Sequence, residues 1–158
     1  MSLSFVAILL LVLTGCEPQD RTPGMWLSGE LVETAVDNWS FAAEHSEIFV
    51  QTNPWYGIAF SVTVAMATAE GDVYVPSIYG EPAAFPGNKY WNGIIDKNPE
   101  VVLKIGDKLY PRSARLVTDA AEFERAFEAL ASKYDFWRGV KNDPENGPPF
   151  VLISMDAP

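Results

Sequence analysis

Residues 58–69 (IAFSVTVAMATA) form a long run of small and β-branched side chains, and Glu70-Gly71-Asp72 turns it into residues 73–78 (VYVPSI). Two such runs joined by a few turn residues pair antiparallel, because a parallel partner would need a crossover of a dozen residues or more. A second pair follows: residues 100–105 and 108–118 flank Gly106-Asp107, with Val101, Leu103 and Ile105 alternating towards one face. Residues 46–52 (SEIFVQT) place Ile48, Val50 and Thr52 on one side and Phe49 and Gln51 on the other. Further strands are expected over 26–33 and 150–155. Together these describe a mainly β chain, a small antiparallel barrel or sandwich of six or seven strands with helices flanking it.

Helical signals are few. Residues 120–133 carry Phe123, Ala126, Phe127 and Leu130 at helical spacing, with Thr118 or Asp119 as the cap. A short helix is expected over 89–97, stopped by Asn98-Pro99, because the residue before a proline avoids the helical region. Asp37 or Ser40 caps a helical turn running to Glu44, and Asn53 to Gly57 reads as a turn. Residues 79–88 (YGEPAAFPGN) are a Gly- and Pro-rich loop long enough to carry function, and the tail beyond 133 reads as loop until the last strand.

The N-terminus bears on address. An apolar run over 5–13 is too short to span a bilayer and ends directly on Leu13-Thr14-Gly15-Cys16. Apolar, small, small, Cys resembles the bacterial lipoprotein signal, which places the cut before Cys16 and a lipid on its thiol. The expected organisation is a signal peptide over 1–15, a lipidated polar tether over 16–24 and one domain over 25–158. Glu17 after the cysteine resembles the pattern sorted to the outer membrane of a Gram-negative cell; a Gram-positive cell would keep the protein on its outer surface. Cys16 is the only cysteine, so lipidation leaves no thiol for disulfide, redox or soft-metal chemistry.

Removing the first fifteen of 158 residues leaves 143, enough for one domain with a core. The 21 acids against 11 bases, a net charge of -10, argue against nucleic-acid binding and against adhesion through a basic patch. No Lys or Arg occurs between Thr22 and Asn88, so an anionic ligand must be held by the C-terminal half or by backbone amides. His45 is the only histidine; with Glu44 and Glu47 beside it, it reads as a solvated or capping group, and no metal is expected. A Ser-His-Asp hydrolase arrangement has no support.

From Tyr90-Trp91-Asn92 through Asn98-Pro99-Glu100-Val101, Lys104-Ile105-Gly106, Tyr110-Pro111-Arg112, Val117-Thr118-Asp119 and Lys133-Tyr134, the order of features resembles the split β-barrel superfamily. Its members include pyridoxamine-phosphate-oxidase-like and deazaflavin-dependent nitroreductase proteins. Trp39 to Phe41, Gln51-Thr52, Ser61 to Thr63 and Val75 to Ser77 resemble more closely still a group of small envelope lipoproteins. The resemblance implies a split barrel, flavin mononucleotide (FMN) or deazaflavin in a groove at a subunit interface, often a homodimer, and hydride transfer as the chemistry. Relatives hold the cofactor phosphate with bases on the turn after the second strand and at the end of the following hairpin strand. The matching stretches here, 52–57 (TNPWYG) and 77–80 (SIYG), contain no base, and Ile78 stands on or near a position that is often Lys in deazaflavin binders.

The candidate cofactor contacts are therefore Lys89, Arg112, the hydroxyls of Thr52 and Ser77, and Trp91, with Lys89 and Arg112 the expected anion-binding pair. Arg112 and Arg115 lie an odd number of residues apart on one strand, so they point to opposite faces and only one can serve a site. Trp55, Tyr56, Tyr79, Phe85, Tyr90 and Trp91 gather in the turns and the short helix, either walling a groove for a flat ligand or plugging a barrel mouth or dimer interface. Two functional readings follow: an envelope lipoprotein that binds a small flat or apolar ligand, and a flavin- or deazaflavin-dependent oxidoreductase.

Overall fold

The computed structural model describes residues 24–79 and 84–158, so the expected signal peptide and the Cys16 lipidation site lie outside the described residues. Eight strands are present among the described residues: β1 Glu30–Leu31, β2 Glu47–Thr52, β3 Phe60–Ala65, β4 Ala67–Ala69, β5 Asp72–Ile78, β6 Glu100–Ile105, β7 Lys108–Leu116 and β8 Phe150–Asp156. Helix α1 spans Tyr90–Ile95, α2 Ala120–Lys133 and α3 Asp135–Asn142, and a single 3-10 turn covers Ser40–Glu44. The strand order is β3-β2-β6-β7-β8-β5-β4, antiparallel throughout, with β1 parallel to the start of β7.

That order rolls the sheet up. β3 and β4 stand at opposite ends of the hydrogen-bonded path, yet only Met66 separates them in the chain. The two edges must meet, and the result is a barrel with a seam where β3 passes β5 without a ladder between them. The fold is thus mainly β with flanking helices, a small antiparallel split β-barrel.

The expected single strand over 58–69 is corrected by this break. Met66 is fully buried, and its N–H donates to the Tyr134 hydroxyl at 3.1 Å. The same hydroxyl has the carbonyl oxygens of Met66, at 2.7 Å, and Ser46 within donating reach. A buried backbone group needs a partner, and here a side chain supplies what a continuous ladder would have.

The strand expected over 26–33 shrinks to two residues, Glu30 and Leu31, which pair with Lys108 and Leu109 on the part of β7 that β8 leaves uncovered. With the 58–69 run divided, the count becomes eight. The tail expected as loop contains α3, whose buried face is only Trp137 and Val140, too short a period to stand out.

Turn chemistry follows the sequence. Glu70 (φ 52°) and Gly71 (φ 95°) both have positive φ between paired Ala69 and Asp72, the type I′ requirement. Gly106 (φ 60°) alone does so between Ile105 and Lys108, as type II′ demands. Pro76 sits in β5 without penalty: Tyr79 N–H donates to Pro149 O, so the odd residues of β5 bond to β8 and the proline's missing N–H falls on the seam.

Alternation sorts two cores. Val73 and Val75 of β5 and Ile153 of β8 face the barrel interior with Ile48, Val50 and Leu103. Tyr74 and Leu152 face outward, against Phe127, Leu130, Trp137 and Val140 of α2 and α3. Full burial of each large side chain contributes about 1.5–3 kcal/mol, and β5 and β8 collect it on both faces. Asp119 caps α2 by accepting from the Glu122 N–H at 2.8 Å. Arg115, on the outward face, bridges Glu122 (2.8 Å) and Asp156 (2.6 Å), and its hydrogen bonds hold the Glu122 carboxyl below its ordinary value of 4.5. Among the described residues no helix is long and apolar enough to cross a membrane.

Candidate functional site

The seam opens into a groove of about 910 Å³. One wall is β3, where Phe60, Val62 and Thr63 face it; the other is the end of β5, with Pro76 and Ser77. Tyr90 and Trp91 of α1 close one end, Phe136 and Trp137 of α3 the other, and Lys89 stands at the rim. Gly24 bridges the outer edge of β3 at Ser61, exchanging both backbone bonds, so the odd residues of β3 turn their polar groups away from β2; beyond Ser61 no strand pairs with that edge among the described residues.

The groove is aromatic at its ends, with Ser46, Glu47, Thr63, Ser77 and Asn88 among its polar lining residues. Phe60 and Tyr90 meet edge to face at 5.2 Å, as do Phe136 and Trp137 at 5.1 Å, and Tyr90 and Phe136 are each about half exposed. Ser77 donates to Asn92 Oδ1 at 2.9 Å, while the Asn92 amide nitrogen and the Thr63 hydroxyl are buried with no partner among the described residues. An unpaired buried hydroxyl costs about 1–3 kcal/mol. At a groove wall, a ligand with polar edges would relieve that cost.

A smaller pocket of about 610 Å³ lies on the other side of Lys89 and Tyr90, between α1 and the turn carrying Trp55.

Of the residues singled out from sequence, Ser77, Lys89, Tyr90 and Trp91 meet in the groove, and Trp55 joins Lys89 and Tyr90 in the smaller pocket. Tyr56 lines neither; its hydroxyl pairs with that of Tyr90 at 2.5 Å. Tyr79 is buried, with Gly87 against its ring. Thr52 is wholly buried, and its hydroxyl donates to Phe60 O at 3.0 Å, so it ties β2 to β3.

Arg112 and Arg115 do point to opposite faces, but Arg112 does not meet Lys89. It points inward with Tyr110 and Ala114, and its guanidinium lies 4.5 Å from the Trp39 ring. Burial there lowers its pKa, and its place over the Trp39 ring keeps it out of both pockets. The expected Lys89–Arg112 anion pair is thereby corrected.

Thr63, Tyr134, Phe136 and Trp137 were missed by sequence reasoning. Only Phe136-Trp137, an aromatic pair directly after the strong helix, gave a signal that could have found them. Among the described residues no cluster of His, Cys, Asp or Glu is placed to hold a metal.

Solved structures share this architecture, which is a split β-barrel. The chain is similar to a candidate pyridoxamine 5'-phosphate oxidase from Listeria innocua, at 17% identity and TM-score 0.51, over 73% of this chain and 86% of that one. It is similar as well to a NimC/NimA family protein from Clostridium acetobutylicum (16%, TM-score 0.50, 72% and 76% covered). A third likeness is to a candidate 5-nitroimidazole antibiotic resistance protein from Bacteroides thetaiotaomicron (11%, TM-score 0.51, 88% and 89% covered). No family model and no curated protein sequence matches the chain.

Proposed function

We propose that the seam groove binds a flat redox-active ring of the flavin or deazaflavin type, and that the domain is an oxidoreductase transferring hydride through it. The observation that carries this is the groove itself: an aromatic slot at the seam whose walls offer Ser77, the orphaned Thr63 hydroxyl and one cation, Lys89. Similarity in fold to the oxidase and nitroimidazole-resistance structures supports the same reading.

The residues fit the ring better than its phosphate. Trp91, Tyr90 and Phe136 stack on a planar system and exclude water, and Ser77 and Thr63 hydrogen-bond its polar edge. The stretches 52–57 and 77–79 supply no base, which leaves Lys89 alone to meet an anion at the groove rim. Such a ring, when bound, supplies the hydride chemistry; the chain supplies orientation and a dry wall.

The test is a titration of the full-length protein with riboflavin and with FMN, followed by tryptophan fluorescence and by the visible spectrum. The expected result is quenching with both at micromolar concentration, FMN no more than about tenfold tighter, and a loss of about tenfold in Ser77→Ala, the size of one good hydrogen bond. Unchanged fluorescence at high micromolar flavin would overturn the reading.

An address belongs to the same proposal: cleavage before Cys16, lipid on its thiol, and retention of the domain at the cell envelope, in the outer membrane of a Gram-negative cell, with a homodimer across the groove. Cys16→Ser is expected to lose a palmitate label and leave the membrane fraction. A label that persists in this variant removes the anchor.

A further inference from the structure

The smaller pocket stands out for charge. Lys89 and Lys97 both line it and no Asp or Glu does, in a chain with a net charge of -10 and no Lys or Arg between residues 22 and 88. Other bases are engaged elsewhere: Arg115, Arg125, Arg138 and Lys141 pair with carboxylates, Arg112 lies over Trp39, and Lys133 donates to His45 O. Lys89 and Lys97 have no carboxylate partner among the described residues, and the carbonyl-rich walls of Asn53 and Asn98 add no charge between them.

The second feature is how Trp55 is presented. It is 96% exposed, and the turn that carries it is fastened at both ends. The Tyr56 hydroxyl meets that of Tyr90 at the start of α1 (2.5 Å), and the Asn98 amide beyond the end of α1 donates to Asn53 O (3.2 Å). Within the turn Gly57 N–H donates to Pro54 O (3.0 Å) with Gly57 at φ 80°, a conformation that favours glycine. A tryptophan left in water on a fastened turn, facing two lysines across an acid-free pocket, makes a stacking wall with a cationic rim.

We propose that this pocket is a separate site for a planar aromatic anion, its ring against Trp55 and its carboxylate or phosphate between Lys89 and Lys97. Trp55 and Lys97, which do not line the groove, distinguish this pocket from it, while Lys89 and Tyr90 border both.

Calorimetric titration of the full-length protein with benzoate and with phenyl phosphate, against benzyl alcohol and inorganic phosphate, tests it and tells the two anions apart. At least one aromatic anion is expected to bind ten times or more tightly than either control. Lys97→Ala should weaken it about tenfold, Trp55→Ala at least fivefold, and Lys97→Arg should restore it; both positions are exposed, so folding is preserved. The proposal fails if neither anion binds at millimolar concentration, if both alanine variants bind as the parent does, if inorganic phosphate matches phenyl phosphate, or if riboflavin displaces the anion and so places it in the groove.

Discussion

Trp137→Ala lowers the folding free energy by about 3–5 kcal/mol, the range for removing a large buried aromatic side chain. Trp137 is 3% exposed and holds the outer core together: it contacts Phe150 at 4.8 Å, Phe136 at 5.1 Å edge to face and Phe127 at 6.3 Å. Its removal leaves a cavity beneath α3 that neither β8 nor α2 can fill without leaving the ladder. Because Trp137 also forms one end of the groove, ring binding falls with stability. Urea melts give the first effect and flavin titration of the folded variant the second. Trp137→Phe should recover more than half of the lost stability, and a melt of Trp137→Ala within about 1 kcal/mol of the parent would show that the outer core closes without the indole.

Tyr134→Phe removes one oxygen and is expected to cost about 2–3 kcal/mol, since it leaves the Met66 N–H without its acceptor in a buried place. The ring stays, so packing does not explain the loss. Burial holds the phenol pKa above its ordinary value, keeping the hydroxyl protonated and able to donate. Amide exchange at Met66 separates a local from a global effect: the variant should exchange faster there than at Leu103 in the barrel wall. Equal protection at both positions, with an unchanged melt, would mean that the break between β3 and β4 is held by something else.

The sequence patterns that survived folding are those decided by neighbours. Alternation over Glu47–Thr52 and Glu100–Ile105, and the glycine turns at 71 and 106, give register directly, because a strand paired on one face must show its period. The break at Met66 has no local mark. IAFSVTVAMATA contains neither glycine nor proline, and the group that ends the ladder, Tyr134, lies 68 residues downstream.

The site divides the same way. Lys89, Tyr90 and Trp91 are contiguous and on one short helix start, so their gathering was legible. Thr63 and Phe136 reach the groove only because the sheet rolls up, and Arg112 leaves it because Trp39, just before the distant 3-10 turn, lies under its guanidinium. Tertiary partners decided those positions.

The place of β8 has a consequence for how the chain comes to be folded. It lies between β7 and β5, so among the described residues the β4–β5 hairpin is laddered to the rest of the sheet only through β8. A ribosome that has released everything up to residue 149 has made two unconnected sheet fragments, and the barrel wall becomes continuous only when Phe150–Asp156 arrives. Pairings of such long sequence separation form late and slowly. Until Phe150–Asp156 has been made, both fragments keep an unpaired strand edge, and the chain stays open to partners other than its own β8.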